Sequence, residues 1–152
     1  MKTIIFTVVF MVAFITFAYA APLQQREYNV WYNKDGMLYG MTQNSENEPV
    51  LVSIGSAGFE SANMVISYTR SGNCTEASHS EKLEIDGKNV PAAYRCFCVE
   101  GKSFEHFLIS DPVQVNYVVE RLTSDFTVLI KKDIKLWAAN VNSPKFGVGP
   151  RL

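Results

Sequence analysis

Two Asp-Gly pairs, Asp35-Gly36 in "YNKDGMLYG" and Asp86-Gly87 in "KLEIDGKNV", each sit between short runs rich in aromatic and β-branched residues. Asp-Gly supplies the two positive-φ positions that a tight hairpin turn demands, so each pair predicts two antiparallel strands joined locally. Runs of the same kind recur as "VLVSIG", "ANMVISYTR", "AAYRCFCVEG", "KSFEHFLIS", "FTVLIK" and "IKLWAANV". Polar or glycine-rich stretches separate them; "SGNCTEASHSE" is the longest polar stretch and reads as an exposed loop. Most gaps are too short for the crossovers that parallel pairing needs.

One segment breaks the pattern. In "SDPVQVNYVVERLTSD", Asp111 is a natural N-cap, Pro112 suits the first helical position, and Val115, Val118, Val119 and Leu122 recur at helical spacing. The expected fold class is mainly β (α+β): an antiparallel sheet or sandwich of about eight short strands with one short late helix packed on it. "NSPKFGVGPRL" reads as a loose C-terminal tail.

The first twenty residues, "MKTIIFTVVFMVAFITFAYA", place Lys2 ahead of an apolar run from Ile4 to Phe17 and close on Ala18-Tyr19-Ala20. That is the pattern of a cleaved signal peptide, residues 1–20, with residues 21–152 left as a single small globular β-rich domain. The chain is therefore expected to be secreted or periplasmic, with no integral membrane contact after cleavage, because no later stretch is long and apolar enough to span a bilayer. The formal net charge of −1 becomes −2 when Lys2 leaves with the leader. With no cluster of Lys and Arg, the chain lacks the multi-phosphate electrostatics of a nucleic-acid binder.

Cys74, Cys96 and Cys98 make an odd set for an exported protein: one disulfide leaves one thiol over. Cys96 and Cys98 are poor partners for each other, since so small a ring strains bridge geometry. In a strand both leave the same face. The expectation is a bridge from Cys74 to Cys96 or Cys98, the third thiol being free or joined to a second molecule. Two thiolates with His79 or His106 nearby would suit a soft ion such as copper(I). However, the one-residue spacing and the absence of a second Cys or His pair favour a disulfide, so neither metal nor cofactor is expected. C-x-x-C, G-x-S-x-G, H-E-x-x-H and G-x-x-x-x-G-K-[ST] are all missing, and no catalytic residue is assigned. Asn73-Cys74-Thr75 fits the N-x-[ST] sequon, which marks Asn73 as a glycosylation acceptor in a eukaryotic secretory route.

The aromatics of "EYNVWYNKDGMLYG" supply a candidate binding surface of Tyr28, Trp31, Tyr32 and Tyr39. Alternation puts Tyr28 and Tyr32 on one face and Trp31 on the other; either one face is core and the other a sheet face covered by the tail, or the second face is open for recognition. Trp137 carries the same ambiguity. In layout the chain resembles small bacterial periplasmic proteins and secreted eukaryotic β-domains of similar length. The expected function is that of an exported non-enzymatic binding protein recognising another protein or a surface ligand, of inhibitor, immunity or virulence-accessory type. One alternative is a subunit of an extracellular or periplasmic assembly, joined through the odd cysteine or an open sheet edge. Another is a small secreted hydrolase or transferase built around His79 or His106.

Overall fold

A computed structural model of the chain describes residues 27–71, 74, 77–147, 150 and 152. The leader and Asn73 lie outside the described residues. The strands are β1 (Trp31–Lys34), β2 (Met37–Gln43), β3 (Pro49–Gly55), β4 (Asn63–Ser71), β5 (Ala77–Ile85), β6 (Lys88–Val99), β7 (Lys102–Ile109), β8 (Val128–Ile130), β9 (Ile134–Leu136) and β10 (Lys145–Phe146). The helix, α1 (Pro112–Thr123), falls between β7 and β8. The strands form one curled sheet in the order β10-β1-β2-β3-β4-β7-β6-β5-β8-β9, so the chain is mainly β with one short helix. No described helix is long and apolar enough to cross a membrane.

Local chemistry sets the hairpins. Asp35 (φ 53°) and Gly36 (φ 79°) turn β1 into β2, and Asp86 (φ 47°) and Gly87 (φ 78°) turn β5 into β6. Two successive positive φ values give the turn whose twist matches its strands. A third turn of this kind, Glu100 (φ 51°) and Gly101 (φ 76°), joins β6 to β7.

Helix α1 begins where its cap dictates. The Asp111 carboxylate accepts a hydrogen bond from the Val113 amide at 3.0 Å, and Pro112 needs no partner in the first turn. Val115, Val118 and Leu122 are buried against the sheet, with Val119 packed partly behind them. Asp86 ties this helix to the β5–β6 turn: its carboxylate accepts from the Tyr117 hydroxyl at 3.1 Å and lies 3.7 Å from the Arg121 guanidinium.

Alternation divides the sheet into a core face and an outer face. The core face carries Val50, Val52, Ile54, Met64, Ile66, Leu83, Val90, Ala92, Phe107 and Ile109, which close on α1 and on the short β8–β9 hairpin. The sheet curls until β9 approaches β2, where the Thr42 hydroxyl donates to the Lys135 carbonyl at 2.8 Å. The sheet has ten strands and not about eight, and "IKLWAANV" is a strand only over Ile134–Leu136. Other segments also depart from the sequence reading. The second half of the supposed loop, from Ala77 onward, is the start of β5. In the supposed tail, Lys145 and Phe146 pair in parallel with Tyr32 and Asn33.

β4 to β7 form a Greek key. β5, β6 and β7 are consecutive antiparallel neighbours, and β7 returns beside β4. The chain between β4 and β5 must therefore cross two intervening strands, about 14 Å at the usual strand spacing. Cys74 lies on that crossing.

Candidate functional site

The crossing, β6 and β7 together place the residues of chemical interest at one end of one hairpin. β6 pairs with β7 through Arg95↔His106, Cys96↔Glu105, Phe97↔Phe104, Cys98↔Ser103 and Val99↔Lys102. Cys96, Cys98, Ser103 and Glu105 belong to the core side; Arg95, Phe97, Val99, Phe104, His106 and Leu108 belong to the outer side.

On the core side Cys74 is bridged to Cys96, with Cα atoms 6.2 Å apart. This resolves the two pairings that the spacing left open. A disulfide is compatible with an exported protein. Cys96 is 4% exposed, whereas Cys98 is a free, exposed thiol. The Cys98 sulfur nevertheless lies only 3.4 Å from the Cys74 sulfur. The Cys74 amide donates to Cys98 Sγ at 3.3 Å and to Ser103 Oγ at 3.1 Å, and the Cys98 thiol donates to the Cys74 carbonyl at 3.2 Å. All three cysteines thus share one small volume.

Beyond the sulfurs the core side turns aromatic. Tyr94 packs against His79 at 4.8 Å and Phe107 at 5.1 Å, and Tyr68 stacks on Phe107 at 6.0 Å. The Lys131 ammonium lies over Phe107 at 4.6 Å and donates to the Tyr68 hydroxyl at 3.0 Å. Glu105 is buried among these rings, with Arg70 at 3.8 Å. Burial, and then the Glu105 carboxylate, raises the pKa of both Tyr68 and Tyr94. Burial and the Asp86 carboxylate do the same to Tyr117. Tyr32, hydrogen-bonded to Glu27, is pushed up to about 12.

These shifts have a definite pH signature. In the folded protein the four phenols hold their protons where unfolded tyrosine, with a pKa of about 10, has lost them. Stability is therefore unaffected by them below about pH 10 and is lost as pH rises from there through the folded-state values. Absorbance at 295 nm should show tyrosinate appearing later than in a urea-denatured control, in step with loss of β-sheet circular dichroism. Coincident native and denatured titration curves would contradict it.

On the outer side Phe97 stacks on Phe104 at 5.6 Å and on the His106 ring at 5.0 Å. His106 Nδ1 is 2.7 Å from the Ser67 hydroxyl, and burial lowers the His106 pKa. This is the first link of a Ser–His catalytic array. Among the described residues no second link completes it: His106 Nε2 is buried and meets no hydrogen-bond partner there, and Ser67 is itself buried. His79 lies on the opposite face of the sheet, paired across strands with Tyr94 and 3.5 Å from Glu81. The two histidines therefore do not share a site. Among the described residues no group of three or more His, Cys, Asp or Glu side chains is placed to hold a metal ion.

The aromatic hairpin picked out in the sequence is rearranged. Trp31 is 2% exposed and belongs to the core, so it is not part of a recognition surface. Tyr28 lies in a turn ahead of β1 and shares no strand with Tyr32. Tyr32 and Tyr39 are cross-strand neighbours, both half-buried, and the Tyr32 hydroxyl is held by Glu27, which Lys145 pairs at 2.7 Å. Trp137, by contrast, is exposed, with Lys135 over its ring at 4.3 Å. Sequence reasoning missed several exposed apolar side chains; Phe59, Val113, Phe126, Leu129 and Phe146 lie on separate elements, whereas Phe97 (38% exposed), Val99 (47%) and Leu108 (39%) fall on the paired strands β6 and β7. Period-two geometry puts Phe97 and Val99 on one face of their strand and Leu108 on the matching face of its neighbour, but apolar and polar residues do not alternate cleanly in either segment. No family model, no curated protein and no solved structure matches the chain.

Proposed function

We propose that this is an exported, non-enzymatic protein that binds another protein through the outer face of β6 and β7. The observation that carries the reading is the contiguous row formed by Phe97, Val99, Phe104 and Leu108, with Arg95 and His106 set among them. Large rings and an arginine at the centre of a patch are the residue types that dominate binding energy at protein interfaces. Stacking fixes the Phe97 ring before any partner arrives, and the Cys74–Cys96 bridge holds the strand beneath it. Such preorganisation lowers the ordering cost of association.

A photo-crosslinking residue at position 97 tests this in the fluid into which the protein is exported. Expected is one discrete protein adduct at position 97, absent when the probe replaces exposed Lys132 and suppressed by L108K. A charge at the centre of an interface costs about 2 kcal/mol, roughly thirty-fold in affinity. Identical adducts from both positions, or none from position 97, would sink the proposal.

The alternative of an assembly subunit draws on the exposed Cys98 thiol. Its other support, an open sheet edge, is weak. β10 is two residues long, and beside β9 the Lys135 and Trp137 carbonyls already accept hydrogen bonds from Thr42 and Trp31.

A further inference from the structure

We propose that Cys74, Cys96 and Cys98 form an intramolecular thiol–disulfide switch, in which the Cys74 bridge passes between Cys96 and Cys98 and thereby hides or displays a thiol. Three observations carry it. The free Cys98 sulfur stands 3.4 Å from Cys74 Sγ, at van der Waals contact with the atom it would attack. Both candidate partners leave the same face of β6, two residues apart, so one cysteine on the crossing chain reaches either. The two ends of the exchange differ in exposure: Cys96 is buried and Cys98 is open to solvent.

The chemistry is self-contained. Cys98 loses its proton, and its thiolate attacks Cys74 Sγ. The Cys74–Cys98 bond forms as the Cys74–Cys96 bond breaks, and Cys96 leaves as a thiolate that takes up a proton. One disulfide and one thiol exist before and after, so neither oxidant nor reductant is consumed. The carbonyl and amide of Cys74 already contact Cys98 Sγ, and Ser103 Oγ lies 3.6 Å from it, so the incoming sulfur needs little movement. The departing thiol is left in a site that excludes water, where a cysteine packs as a small apolar side chain. In one state the protein presents a nucleophilic thiol at the end of the β6–β7 hairpin; in the other it presents none. This depends on no partner and stands apart from the outer-face binding proposed above.

Peptide mapping of the full-length exported protein, incubated at mildly alkaline pH without added thiol and quenched in acid, tests it. Two connectivities are expected. One is Cys74–Cys96 with Cys98 alkylated in the native state; the other is Cys74–Cys98 with Cys96 alkylated only after denaturation. The second should reach about one part in ten or more, as a tenfold or smaller equilibrium ratio requires. Its rate of appearance should not change with protein concentration. C96S should form the Cys74–Cys98 bridge in the folded state, making it inert to native alkylation. Cys74–Cys96 as the sole connectivity throughout, with Cys98 fully alkylated, would overturn the proposal whether or not C96S folds. So would isomer growth that scales with concentration, which marks exchange between molecules.

Discussion

Replacing Trp31 with Ala is expected to destabilise the protein by about 3–5 kcal/mol, the range for deleting a buried indole. The number rests on more than lost area. The Trp31 ring lies against Gly40, where a Cβ would sit only 3.0 Å from Cε3 and Cζ3, so the β2 residue directly opposite has no side chain to fill the space it leaves. Its Nε1 donates to the Trp137 carbonyl at 2.8 Å, while its backbone amide and carbonyl are both bound by the Asn140 side chain, at 2.7 and 3.0 Å. Those bonds join β1 to the segment after β9 and hold the curl of the sheet. W31F should cost less, since it keeps most of the ring while leaving the Trp137 carbonyl without that donor. Urea unfolding followed by circular dichroism reads both. A W31A effect under about 1 kcal/mol would mean that Trp31 is peripheral and the core lies elsewhere.

Trp31 also shows what the sequence could and could not disclose. Alternation separates it from Tyr32, but no local signal says which of the two faces turns inward. That choice is made by Asn140 and Trp137, more than a hundred residues away. Where the signal was an Asp-Gly turn or a helix cap, the reading was accurate. Asp35-Gly36 and Asp86-Gly87 turn as their φ preferences require, and Asp111, Pro112 and the valine–leucine stripe define α1 to within a residue or two. Glu100-Gly101 makes the same turn and was not singled out, because Glu is a less common first residue for it. The opening of β5 was missed for another reason. Ser78, His79 and Ser80 are exposed and polar, and they enter a strand only because Tyr94, Ala93 and Arg95 pair with them from β6. Pairing of that kind overrides local propensity.

The candidate site divides in the same way. Period-two alternation placed Cys96 and Cys98 together and made either a partner for Cys74. Choosing between them requires the Greek-key crossover, since only the sheet order brings Cys74 over the β6–β7 end. The outer row of Phe97, Val99 and Leu108 was written in the same alternation. That it stays uncovered, while α1 packs on the opposite face, is a tertiary fact.

Removing Cys74 supplies the second large effect. The bridge closes 22 residues of chain, which in the chain-entropy account stabilises the fold by about 3 kcal/mol. C74S should lose that amount, a fall of roughly 10 °C in melting temperature for a domain of this size. Most of the loss arises in the unfolded chain, which gains conformations that the crosslink forbade. In the folded state the Cys74 amide, which C74S keeps, still donates to Ser103 Oγ and Cys98 Sγ, but the crossing over β6 and β7 has no other covalent tether. C98S keeps the bridge and should stay within about 0.5 kcal/mol of wild type, as an exposed substitution does. Reduced wild type should melt with C74S and not with C98S. If C74S and C98S melted together, the crossover would be held by its non-covalent contacts, and the disulfide would add nothing to the stability of the folded hairpin.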